Sequence, residues 1–281
     1  MLWFKKNSAA LHDVNGDRVA PVPLQVELDK NICAHKLNQL IEAAEERGGL
    51  EQYIEALNTK HHLFQDALSA SELPELDAEG FAILLDAVFP ARRKLPTGTD
   101  AVSHEALLKQ MSILMHGREN VSERMGSFAD LFATDNRKIK RAAWDFAAEA
   151  LHFFAPGKYP LMTRWVWDSG SVSGALREFI RSNDGMSDVP ISNEPGQFEA
   201  ARVWLAEQIA EQGYYRDVPF MVDLLLAQAY ADYFIAMSSG VGMMAGEFGG
   251  RIEPIDFICK LLGIEAGKRS GRLRVKQNVI H

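Results

Sequence analysis

The chain has 281 residues, 47% hydrophobic and 24% charged, a balance that supports a sizeable core and excludes wholesale disorder. Its net charge of −8 sets the molecule as a whole against nucleic acid and anionic membrane, which repel an acidic surface.

Residues 1–27 contain Asn15-Gly16 and Pro21-Val22-Pro23 and predict an irregular arm, with room for one short strand or hairpin. From Asp29 the apolar period turns helical. Asp29 is placed to cap a helix that buries Ile32, Leu37, Leu40, Ile41 and Ala44, and Gly48-Gly49 stop it. Leu50, Tyr53, Ile54 and Leu57 continue the period. After a turn at 71–74, Asp77 caps a helix with Phe81, Leu84, Leu85 and Val88 inward, ended by Pro90 and Pro96. Ser103 caps the next, and Gly117 closes it. A short helix is expected at 121–133. Asp135 opens a long one through Phe154, broken by Pro156-Gly157. Further helices are expected at 171–182, 196–212, 217–239 and 253–262, with a boundary or loop at 182–196 that carries Gly185, Pro190 and Pro195.

The expected fold is therefore all-α: a multi-helix globular bundle with an irregular N-terminal arm and a basic C-terminal tail. Its parts are the arm at 1–27, a helical body at 28–182, a second part of that body at 183–266, and the tail at 267–281. Cys33 and Cys259 each lie in an apolar helical pattern and are expected as buried thiols, without a disulfide framework. The N-terminus lacks the order of a signal peptide. The most apolar stretch, 220–246, is interrupted by Asp223 and Asp232, and its longest charge-free piece has 14 residues, short of the roughly 20 a spanning helix needs. A soluble, cytoplasmic protein with no membrane segment is expected. Charge is uneven: residues 42–86 hold eleven acids against Arg47 and Lys60, while Lys268, Arg269, Arg272, Arg274 and Lys276 face no acid beyond Gly267. Such a tail can dock on an acidic surface, on the same molecule or a partner, or stay a solvated terminus.

Several clusters bear on function. Glu149 and His152, three apart on one helix face, have the spacing of a metal-binding pair in di-iron bundles. Those bundles need two such pairs and two more carboxylates, and the chain has one pair. A helix-surface hydrogen bond is the blander reading, and no metal is expected. Gly170-Ser171-Val172-Ser173-Gly174 lacks a serine at the middle position that a nucleophile elbow requires, so Ser171 or Ser173 is read as a helix cap. Ser238, Gly242, Gly246 and Gly250 recur every four residues, as a tight-packing strip if helical or a hinge if not. Finally, Arg137, Lys138, Lys140, Arg141, Lys158 and Arg164 accompany Trp144, Tyr159, Trp165 and Trp167. Cations beside aromatics suit binding hot spots or nucleotides. The competing reading is tryptophans in the core and cations on a solvated face. The three tryptophans are expected close together beside Pro156-Gly157.

The run from Arg141 to Met162, with His152 before a proline loop, resembles a segment of helix-hairpin-helix DNA glycosylase-like proteins. The resemblance implies an aspartate near position 163 and a Gly-hydrophobic-Gly hairpin ahead of the helix. Here Thr163 holds that position, Asp168 follows five residues later, and Gly240-Val241-Gly242 comes after the helix. It covers about thirty residues.

The reading that results is a helical binding protein, an accessory, assembly or regulatory factor recognising a partner protein or a small ligand, with nucleic acid disfavoured. Its candidate binding residues are Trp144, His152, Tyr159, Arg164, Trp165 and Trp167. The alternative is a nucleic-acid-processing or metal-dependent helical enzyme. No particular cofactor is implied.

Overall fold

The computed structural model describes residues 18–95, 102–132, 136–181, 188–239 and 253–265. Among them are nine α-helices: α1 (Lys30–Glu45), α2 (Glu51–Ala67), α3 (Ala78–Asp86), α4 (His104–His116), α5 (Val121–Leu131), α6 (Arg137–Phe154), α7 (Pro195–Glu211), α8 (Val218–Ser239) and α9 (Pro254–Leu261). No strand occurs among the described residues, only isolated bridges at Leu28–Ile180 and Asp168–Ser173. The fold is all-α.

The capping chemistry is as the sequence sets it. The Asp29 carboxylate accepts from the backbone N–H groups of Asn31 and Ile32, which hold its pKa below the ordinary value. Asp77 accepts from Gly80 N–H and Ser103 from Ala106 N–H, satisfying donors that a first turn leaves unpaired. At α6 the cap is Asn136, which accepts from Lys138 N–H; Asp135 lies outside the described residues.

The helix expected at 171–182 is instead a tight turn followed by a short 3-10 segment, Ala175–Phe179. Val172 has φ 50° and Gly174 φ 128°, both incompatible with a right-handed helix. Backbone donors here pair with an earlier loop: Ala175 N–H donates to Trp165 O at 2.8 Å and Leu176 N–H to Val166 O at 3.0 Å. A Cβ on Gly174 would lie 2.6 Å from Val166 O, so the close approach of these two backbones requires glycine. Ser171 and Ser173 bond each other at 2.8 Å and cap nothing.

One cluster of buried apolar side chains runs from Val19 to Ile264. At its centre is α6, buried at Ala142, Ala143 and every position from Asp145 to Phe153. Its five buried alanines let neighbouring helices approach closely. The other inner helix, α8, is buried continuously from Phe220 to Ala229. Over Val218–Met237 it is long and apolar enough to cross a membrane, with mean hydropathy 1.3, in contrast to the sequence expectation. The difference arises because its two aspartates fit within that window. As folded, 61% of an 18-residue window in it is buried inside the protein, the environment of a core helix.

The segment 18–28 lies across this body. Val22 N–H donates to Gly196 O at 2.8 Å, and a Cβ on Gly196 would meet Val22 Cγ2 at 2.5 Å. Cys33 and Cys259 are buried and unpaired, and burial pushes both thiols up to about 12, which leaves them unreactive. Residues 1–17, the glycines at 240–250 and the tail at 267–281 lie outside the described residues.

Candidate functional site

Asp145, Glu149 and His152 fall at i, i+4 and i+7 of α6, on one face, and none exceeds 1% exposure. Each meets a counter-group from a different part of the chain. Lys60 of α2 donates to Glu149 Oε2 at 2.6 Å and to Leu262 O at 2.7 Å. Its ammonium also sits 4.0 Å from the Phe153 ring centroid, a cation–π contact. Burial lowers the Lys60 pKa. It pushes the Glu149 carboxyl up to about 7, with Lys60 opposing that rise. Glu149 Oε1 has no hydrogen-bond partner among the described residues.

His152 donates from Nδ1 to Tyr159 O at 2.9 Å, because a carbonyl only accepts, and its Nε2 meets Asp223 Oδ2 of α8 at 2.8 Å. Both ring nitrogens of His152 and one carboxylate oxygen of Glu149 are thus engaged by protein groups. No set of three or more His, Cys, Asp or Glu side chains placed for a metal ion exists among the described residues. Asp145 accepts from Arg164 N–H at 2.9 Å and from Arg164 Nη2 at 2.7 Å. Burial raises its pKa and Arg164 opposes the rise.

Through Arg164 this stripe reaches the surface at a cleft of about 510 Å³ between α5, α6 and the loops carrying Asp168 and Asn193. Its α6 wall is Arg137, Lys140, Arg141 and Trp144, at i, i+3, i+4 and i+7 of one face. Its α5 wall is Gly126, Ala129 and Asp130. Lys140 pairs with Asp130, and Arg164 lies between Asp145 and Asp168 at 2.7 and 4.0 Å. Arg137 and Arg141 are exposed, and no ion pair involves either among the described residues. Four of the first five residues of α6 are cationic and its first turn has no acid. The positive end of a helix dipole disfavours each of those cations by about 0.3–1 kcal/mol at low salt. The fold therefore concentrates positive charge where the helix itself opposes it.

A larger cleft, about 740 Å³, lies among the segment 18–22 and the N-termini of α5 and α7. There Arg18, Arg118 and Arg124 are balanced by Glu119, Glu123 and Glu194, so its charge is mixed. Neither cleft is lined by Lys60, Glu149, His152 or Asp223.

Of the six candidate binding residues, Trp144 and Arg164 share the cationic cleft and the other four are core. Trp167 is 1% exposed and donates from Nε1 to Ile191 O at 3.0 Å. Trp165 is 6% exposed and packs against Tyr230 at 5.9 Å between ring centroids. Tyr159 is buried beside the Arg124 guanidinium, 5.8 Å from its ring centroid. The three tryptophans are buried or half-buried as expected, yet no ring contact joins any two of them among the described residues. At the position where the glycosylase resemblance implies an aspartate, Thr163 is fully buried and its hydroxyl has no partner among the described residues. Asp168 reaches the cleft, but its Oδ1 is used by Gly170 N–H at 3.0 Å. The residues sequence reasoning missed are Lys60 and Asp223. Their signal was present: a lone lysine in an acidic helix and an aspartate within an apolar run.

Comparison with family models, with curated proteins and with solved structures finds no match to this chain.

Proposed function

We propose that this chain is a helical binding protein that takes a small anionic ligand in the cleft between α5 and α6. The observation that carries the reading is the arrangement of Arg137, Lys140, Arg141 and Arg164 around one concave site in a protein of net charge −8. Opposed by the helix dipole, the three cations on α6 add little to the stability of the empty protein. An anion seated among them would receive charge-assisted hydrogen bonds. Asp145 grips both the backbone and the guanidinium of Arg164, which fixes that donor before any ligand arrives. A soluble, cytoplasmic setting accords with the burial of α8, and the basic tail remains the element proposed for a partner protein.

The test is thermal unfolding at low salt with and without inorganic pyrophosphate. Pyrophosphate is expected to raise Tm by a few degrees. The double variant R137E/R141E should lose that shift while its ligand-free Tm equals or exceeds the original, because like-charge repulsion at the helix start is relieved. The same pyrophosphate shift in both proteins, or no shift in the original, overturns the reading.

Gly126 offers a second handle. A Cβ built there meets nothing within 4 Å, so the side chain of Gly126→Leu starts from open space in the cleft lining. The variant is expected to gain up to about 0.8 kcal/mol from helix propensity and to lose the pyrophosphate response, both read from the same melting curves.

A further inference from the structure

We infer that the cleft between α5 and α6 is a nucleotide site, with phosphates held at the start of α6 and the base laid against Trp144. This rests on the anion-binding reading and adds a polarity to it. On α6 the cations at 137, 140 and 141 precede Trp144 along one face. At 1.5 Å per residue they extend about 10 Å from the indole, a reach suited to a base at one end and a phosphate chain at the other.

The charges set the direction. Arg137 and Arg141 have no ion-pair partner among the described residues, so the phosphate end belongs to them. At the other side of the cleft stand the Asp168 carboxylate and the Asn193 amide. A carboxylate repels phosphate but accepts from ribose hydroxyls or base amino groups. Asn193 Oδ1 is held by Ser169 N–H at 2.9 Å, which directs its amide nitrogen away from that backbone. Trp144 is half-buried, packed against the core and also lining the cleft, so part of the indole is available to a base. The volume, about 510 Å³, lies in the range of small-ligand sites. Two unpaired guanidiniums and the Asp130 and Asp168 carboxylates suit one short phosphate chain better than a polynucleotide track, which needs a continuous cationic groove.

Isothermal titration of the full chain with the four ribonucleoside triphosphates, inorganic tripolyphosphate and adenosine tests this. At least one nucleoside triphosphate is expected to bind about tenfold or more tighter than tripolyphosphate, the increment that base stacking supplies. Trp144→Leu should remove that increment and leave tripolyphosphate binding unchanged, and R137E/R141E should remove both. If nucleoside triphosphates and tripolyphosphate bind alike, the nucleotide inference falls and the anion site stands. If neither binds, both readings fall. If a short single-stranded oligonucleotide outcompetes every mononucleotide, the cleft is part of a longer track and the inference is overturned.

Discussion

Lys60→Met is expected to destabilise the protein by about 3–5 kcal/mol at pH 8, the cost of leaving a buried charge without its partner. Lys60 is fully buried, and its ammonium donates both to Glu149 Oε2, as that oxygen's one partner among the described residues, and to Leu262 O. A methionine fills a similar volume, so the loss is electrostatic and not a cavity. The pH dependence has a definite sign. Glu149 already has its carboxyl pushed up to about 7 by burial, from an ordinary 4.5, and removing Lys60 removes the group that opposes that rise. A carboxyl whose folded-state pKa is raised favours folding below its unfolded value. That contribution is lost as pH rises through the folded value. Lys60→Met should therefore be nearest the original protein at about pH 5 and furthest from it above pH 7. The double variant Lys60→Met with Glu149→Leu should recover the part of the loss that comes from the unpaired carboxylate, because an apolar pair can replace a buried ion pair at little cost. The cost of the unpaired Leu262 carbonyl, about 1–3 kcal/mol, would remain. Urea unfolding at the two pH values reads all three quantities. A single variant within 1 kcal/mol of the original at both pH values would mean that water reaches the pair.

Gly263→Ala should cost about 3 kcal/mol, far more than a left-handed glycine usually does. Gly263 follows α9 with φ +70°. Its N–H donates to Lys260 O at 3.2 Å and Ile264 N–H donates to Cys259 O at 2.8 Å, the two bonds of a Schellman cap. A Cβ at Gly263 would fall 1.9 Å from Ala87 O and 3.2 Å from Lys60 Nζ. The first contact is with backbone and cannot be relieved by a rotamer. Gly213 supplies the control. It ends α7 with φ +92° and the same pair of bonds, to Ala210 O and Ile209 O, but a Cβ there meets nothing within 4 Å. Gly213→Ala should cost only about 1 kcal/mol, the left-handed penalty alone. Equal losses at the two sites would show that the Ala87 contact relaxes freely.

The helices were legible because their signals are local. Apolar residues at 3.6 spacing and the caps Asp29, Asp77 and Ser103 act within a few residues of themselves. The short range of those signals also explains the miss at 171–182, where the deciding partners, the Trp165 and Val166 carbonyls, belong to the preceding loop. For the site, the run of cations from Arg137 with Trp144 and Arg164 was readable as a binding surface. Periodicity places these residues on one face, but it does not say that α5 opposes them with Gly126 and Ala129. Tyr159, Trp165 and Trp167 carry the same residue types and are core. Composition does not separate an aromatic that faces a cleft from one that faces a neighbouring helix.

The buried pairs have a consequence for how the chain reaches its native state. Lys60 and Glu149 are 89 residues apart, His152 and Asp223 are 71 apart, and Lys60 and Leu262 are 202 apart. Glu199 is paired within its own helix by Arg202 and Asp145 by the nearby Arg164, but Glu149 and His152 draw their partners from distant segments, so the central helix lacks these contacts until segments from both ends have docked. Contacts of such separation slow folding and bind distant segments into one cooperative transition. Separately produced fragments 1–187 and 188–281 should each fail to unfold cooperatively. In the first, His152 would lack Asp223 and Lys60 would lack the Leu262 carbonyl. A sharp melting transition in either fragment alone would show that the chain holds an autonomous folding unit.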